Sequence, residues 1–103
     1  MPILREWRAE IRRDKKAAYM DYILETGITV YKATPGNLGA AVAIRDLDVQ
    51  RSEIVTLSWW TSFDAIREFA GQQIEKARYF TADDEYLLTR PEHVVHYEMA
   101  ELR

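Results

Sequence analysis

With 103 residues the chain has room for one domain and one hydrophobic core, and no length left for a separate cofactor domain. A net charge of −3 argues against nucleic acid, whose phosphates require a basic face, and zero cysteines exclude disulfides, thiolate nucleophiles and zinc–thiolate sites together. The N-terminus has no apolar signal region and no apolar run reaches membrane-span length, so a cytoplasmic protein with no membrane partner is expected. Three Trp, six Tyr and three Phe are many for so short a chain, so some must line a pocket, the surface or a subunit contact.

From Ile3 to Ile11 the residues alternate at period two, with Ile3, Arg5, Trp7, Ala9 and Ile11 on one side, which predicts a strand with one polar face. From Asp14 the period becomes helical through Tyr19, Tyr22, Ile23 and Thr26, with Asp14 as N-cap and Gly27 where the helix should end. Ile28 to Lys32 continues as a short helical turn before the breaker cluster Ala33-Thr34-Pro35-Gly36-Asn37. Leu38 to Arg45 and Glu53 to Trp60 read as strands two and three, joined as a hairpin by a short polar loop.

Thr61 or Ser62 caps the next helix, whose apolar stripe is Ala65, Ile66 and Phe69 and which Gly71 breaks. A second helical piece is expected over Gln73 to Tyr79, then a polar, acidic loop from Thr81 to Arg90. After Pro91 a last strand runs from His93 to Met99. The order β-α-β-β-α-β predicts an α+β, ferredoxin-like fold with an antiparallel four-stranded sheet, one domain over residues 1–103. Thr56, Ser58, His96 and Glu98 are read as a mixed sheet face, and a surface of that kind is commonly buried by a second subunit.

Trp60-Thr61-Ser62-Phe63-Asp64-Ala65-Ile66, a Trp ending strand three before a capped helix, resembles the antibiotic biosynthesis monooxygenase family. The turn Thr34-Pro35-Gly36-Asn37-Leu38-Gly39 is similar too, as are Phe69-Ala70-Gly71, Ala77-Arg78-Tyr79-Phe80, Leu87-Leu88 and His96-Tyr97-Glu98, these last to an uncharacterised bacterial branch. The likeness covers nearly the whole chain. It implies a homodimeric α/β barrel in which two four-stranded sheets face each other with helices outside. Family members include cofactor-independent oxygenases that hold a phenolic substrate with Trp, Tyr, Asn and Arg. Others degrade haem with a strand-one Asn, a Trp and a ligating His. Here strand one offers Arg5 and Trp7 but no Asn, and Phe69 stands where many relatives carry that His, so no haem and no other cofactor is expected.

The candidate site follows from chemistry. Trp60 can line a flat aromatic pocket or close the core, and Trp7, Tyr31 and Phe69 join it as substrate-binding candidates. Tyr79 can donate to a substrate oxygen and Arg78 can hold a carboxylate or enolate, unless Arg78 pairs with Asp83, Asp84 or Glu85. His96 can handle a proton near neutral pH, or serve with Glu98 as a hydrogen-bonded contact. His93 and His96 point to opposite faces of a strand and find no third ligand, so no metal is expected. The reading is a binder of a small aromatic or conjugated molecule, as a cofactor-independent monooxygenase with His96, Tyr79 and Arg78 catalytic. A non-catalytic binding or interaction module of the same fold is the alternative.

Overall fold

The structure is a computed structural model and describes residues 1–100. Strand β1 (Ile3–Arg12) pairs along its whole length with β3 (Arg51–Trp60), and through Ile3–Glu6 with β4 (Val95–Glu98). β2 (Asn37–Asp46) pairs with β3, completing an antiparallel four-stranded sheet of order β2-β3-β1-β4. This is the ferredoxin-like α+β arrangement that the alternation predicts. The β2–β3 turn is made by Asp48, whose Oδ1 accepts from Gln50 N at 2.9 Å and Arg51 N at 2.8 Å, an aspartate-stabilised reversal. No helix among the described residues is long and apolar enough to cross a membrane.

Alternation on β1 works as read: Ile3, Arg5, Trp7, Ala9 and Ile11 are all buried beneath the helical layer. On β3 the faces differ from expectation. Ser52, Ile54, Thr56, Ser58 and Trp60 are the buried row, so Thr56 and Ser58 belong to the covered side. His96 and Glu98, opposite Arg5 and Ile3, are on that side as well. The open face instead carries Leu4, Glu6, Arg8, Leu57, Trp59, Val95 and Tyr97. Both rows of β3 mix polar and apolar residues, so composition could not choose between them. The adjacent Trp59 and Trp60 necessarily point opposite ways.

After a 3₁₀ turn at Arg13–Lys15 comes α1 (Lys16–Ile23), then a π-helical turn over Leu24–Ile28, then α2 (Thr29–Ala33). Asp14 does not cap. Its carboxylate is held by Arg12 at 2.6 and 3.1 Å. Nor does Gly27 end the helix: the chain widens there by a π turn and continues. The hydroxyls of Thr26 and Thr29 donate to Tyr22 O and Leu24 O, both at 2.8 Å, and serve carbonyls that the wider turn displaces.

Helix α3 (Phe63–Ala70) starts as predicted, with Ser62 Oγ accepting from Ala65 N at 3.2 Å, and stops at Gly71. Gly36 ties the start of β2 to this helix. Its φ is +87°, and a Cβ there would lie 2.5 Å from Ala65 Cβ and 3.0 Å from Thr61 Oγ1. Only glycine meets both demands.

The helix expected over Gln73 to Tyr79 does not form. Backbone groups there pair with the chain that returns beneath them: Ala77 N donates to Glu92 O at 2.8 Å and Val94 N to Glu75 O at 2.7 Å. The carbonyls of Ile74 and Lys76 face the Arg5 guanidinium instead of a helical neighbour. Tertiary partners override local propensity. A 3₁₀ turn, Thr81–Glu85, follows, fixed by Asp83 Oδ2 accepting from Phe80 N at 2.7 Å.

Two clusters make the core. Ile3, Ile28, Tyr31, Trp60, Ile66 and Ile74 form one, under α2 and α3. Trp7, Ala9, Ile11, Tyr19, Ile23, Ile54 and Val94 form the other, under α1 and the irregular return.

Candidate functional site

Between the two clusters lies a cavity of about 40 Å³, with Arg5, Trp7, Tyr31, Phe69, Arg78 and Tyr79 in its wall. By the same measure a water needs roughly 10–15 Å³, so the space takes a few waters or a compact head group. A larger ligand would have to displace side chains.

The alternation of β1 sets Arg5 in the apolar row, two residues before Trp7, and the residue is 2% exposed. Its Nη1 donates to Ile74 O at 2.6 Å and meets His96 Nε2 at 2.9 Å, while Nη2 reaches Lys76 O at 3.5 Å. Nε finds no partner among the described residues. Burial lowers the Arg5 pKa, opposed by Tyr31 and Glu75, but a guanidinium stays charged in proteins. A buried, hydrogen-bonded cation is the strongest electrostatic feature of the cavity wall.

His96 follows from Arg5. Arginine has no acceptor, so the 2.9 Å contact requires a bare Nε2 and places the ring proton on Nδ1. Burial, then the Arg5 charge, push the imidazole down to about 4, with Glu75 opposing. At neutral pH His96 is uncharged and its free lone pair is engaged. It does not line the cavity.

Tyr79 stands at the wall with its hydroxyl engaged twice: it accepts from Trp7 Nε1 at 3.1 Å and donates to Pro91 O. The Arg90 guanidinium covers its ring at 4.8 Å. Burial raises its pKa, partly offset by the Trp7 hydrogen bond and the Arg90 charge. Arg78 is exposed at the outer wall, donates to Phe69 O at 2.9 Å and lies 5.4 Å from the Phe69 ring centre. It pairs with none of Asp83, Asp84 or Glu85, and Asp84 is held by Arg90.

Phe69 and Tyr31 meet at 4.6 Å between ring centres, and Trp60 backs both, at 5.7 and 6.1 Å. Trp60 itself is fully buried, gives its indole N–H to Ser58 Oγ at 2.8 Å and is outside the cavity wall. The structure therefore gathers Trp7, Tyr31, Phe69, Arg78 and Tyr79 around one space and sets Trp60 and His96 behind it. Residues that the motifs did not single out complete the wall. Arg5 is one; Asp83 is another, accepting from Tyr19 OH at 3.2 Å. A charged residue in the apolar row of a central strand was the available signal for Arg5. No imidazole borders the cavity and Phe69 occupies its inner wall, so these residues do not fit a haem.

No protein-family model matches the sequence, and no curated protein matches it. Solved structures do match. Rv0793 from Mycobacterium tuberculosis is 23% identical with a TM-score of 0.65, covering 99% of this chain and 98% of that one. A candidate antibiotic biosynthesis monooxygenase from Bacillus cereus is 11% identical, also at 0.65, over 99% and 98% of the chains. NE2512, a protein of unknown function from Nitrosomonas europaea, is 18% identical at 0.59 over 99% and 91%. The chain thus shares, from end to end, the ferredoxin-like α+β fold of these proteins.

Proposed function

We propose that this chain is one subunit of a homodimeric α/β barrel that binds a small planar, aromatic or conjugated molecule in the cavity beside Trp7 and Phe69. The cavity wall carries the reading: Trp7, Tyr31, Phe69 and Tyr79 offer flat apolar surface, and Arg5 and Arg78 add positive charge. Trp60 holds Tyr31 and Phe69 in place from behind, and His96 holds Arg5. A ligand larger than a few waters enters by displacing the irregular segment 71–80, whose outermost wall residue is Arg78. The Bacillus cereus protein that shares the fold is a candidate antibiotic biosynthesis monooxygenase, which supports testing this cavity for oxidation of a small molecule.

The open sheet face supports the dimer. Val95 and Tyr97 are 48% and 46% exposed, and Leu4, Leu57 and Trp59 share that face. An apolar sheet surface of this kind needs a cover, and a second copy supplies one by two-fold symmetry. Sedimentation at micromolar concentration should give a dimer that Tyr97→Glu dissociates. A wild-type monomer would refute the barrel.

If the bound molecule is oxidised, the reaction is cofactor-independent, with Arg5 and Arg78 stabilising a phenolate or enolate that donates electrons to oxygen. A second reading, a binding module without catalysis, is favoured by one observation: the Tyr79 hydroxyl and His96 Nε2 are both committed to protein partners. Titrating phenols and hydroquinones against tryptophan fluorescence while recording oxygen uptake separates the two. Saturable quenching with uptake supports the oxygenase, and quenching alone supports the module. No saturation across the panel would remove both.

A further inference from the structure

We propose that the side-on edge of Arg5, its Nε–H with the neighbouring Nη2–H, is a carboxylate-binding fork, so that the cavity's ligand is a small planar organic acid. This rests on the cavity being a ligand site, as proposed above, and names the chemistry it selects.

A guanidinium has five N–H donors in one plane, arranged as edges of parallel pairs. In Arg5 both Nη1 hydrogens are used, by Ile74 O at 2.6 Å and His96 Nε2 at 2.9 Å. Nη2 spends one hydrogen on a long contact to Lys76 O at 3.5 Å. Left over is the Nε hydrogen, buried without a partner, and beside it stands Nη2, whose one contact in the fold is the long one to Lys76 O. Nε and Nη2 form the edge that binds a carboxylate through two parallel hydrogen bonds. The Tyr31 hydroxyl, which supports the Arg5 charge, is the neighbour that a carboxylate would replace.

No carboxylate among the described residues claims that edge, and none of their ion pairs includes Arg5. The side chain on its far edge is a neutral imidazole, which orients the guanidinium without cancelling its charge. Glu75 acts on Arg5 only through its field, beyond hydrogen-bond contact. The wall beside Arg5 is flat and apolar: the Phe69 ring centre lies 5.7 Å from its Cζ. Asp83, the acidic residue of the same wall, is already bound by Tyr19 and Phe80 and does not pair with Arg5. A carboxylate offers two coplanar oxygens to the fork, a phenolate only one, so the geometry favours the acid.

The test follows the Arg5 side-chain Nε–H resonance of isotope-labelled protein at neutral pH during titration with benzoate, benzamide and phenol. Benzoate should shift that resonance saturably and bind at least about tenfold more tightly than either neutral probe, as expected for a charge-assisted bidentate pair. Arg5→Lys keeps the charge but loses the fork and should weaken benzoate by about tenfold or more. If this variant does not fold, the wild-type resonance and the benzoate-to-benzamide ratio decide alone. Equal binding of all three probes, with the Arg5 resonance unmoved, overturns the fork while leaving a ligand cavity. No saturable binding by any probe overturns both.

Discussion

Trp7 and Trp60 stand on the same face of the same sheet and meet opposite fates. Trp60 gives its indole N–H to Ser58, two residues back on its own strand, and is packed by Tyr31, Ile66 and Phe69 from a capped, amphipathic helix and its neighbour. Trp7 gives its N–H to Tyr79, which comes from a stretch with no regular structure, and beside it the protein is hollow. A helix lays down a periodic stripe that fills space over a sheet. The return from Gly71 to Val94 spends its backbone on scattered partners and cannot present such a stripe. Room for a ligand appears where the cover is irregular.

The contrast breaks first at Trp60. Trp60→Ala should cost about 3–5 kcal/mol in urea denaturation, because a large buried side chain leaves a void that rigid neighbours cannot close. A loss below about 1 kcal/mol would mean that the two halves are equally loose. Next is Gly36→Ala, on the same rigid side, where the added Cβ meets Ala65 and φ is positive. It should cost about 1–3 kcal/mol. On the hollow side Tyr79→Phe strands Trp7 Nε1 and should cost only about 1 kcal/mol, while altering the tryptophan emission that Trp7 contributes.

The smallest effect at neutral pH belongs to His96→Gln, whose amide oxygen can still accept from Arg5. Its signature is in acid. Folding lowers the His96 pKa from its ordinary 6.5 to about 4, so the unfolded chain takes up the proton first. The stability this residue contributes is complete above pH 6.5 and lost as pH falls toward 4. Melting temperatures measured across that window should decline in the wild type and decline less in His96→Gln. Parallel curves would show that burial beside Arg5 does not hold the imidazole neutral.

Much of the fold was legible because strands and caps are written in local patterns. The Ile3–Ile11 alternation, the Ser62 cap and the Pro35-Gly36 break each appear where the sequence places them. What was not legible depends on distant partners. Gln73 to Tyr79 has helical spacing, yet its carbonyls answer to Arg5 and its neighbours pair with Glu92 and Val94. Gly27 reads as a stop, but Thr26 and Thr29 supply the hydrogen bonds that carry the helix past it. At the site, aromatic residues were conspicuous in sequence and five of the named positions share one cavity wall. Arg5 was visible only as an anomaly in an apolar row. Its meaning lies in three partners from residues 74 to 96.

The central place of β1 sets the order in which the protein can fold. Ile3 sits between Trp60 and Glu98, so the first strand of the chain finds its neighbours only after β3 and β4 have been made. The β2–β3 hairpin, closed by the Asp48 turn, is the single strand pairing that needs no long loop to close. Its low closure cost makes it the expected nucleus, with β1 docking later and bringing Arg5 beneath the returning chain. With most pairings remote in sequence, folding falls toward the slower, millisecond-and-longer end for domains of this size. Until that docking, the apolar residues of β1 are exposed and must be kept from other chains.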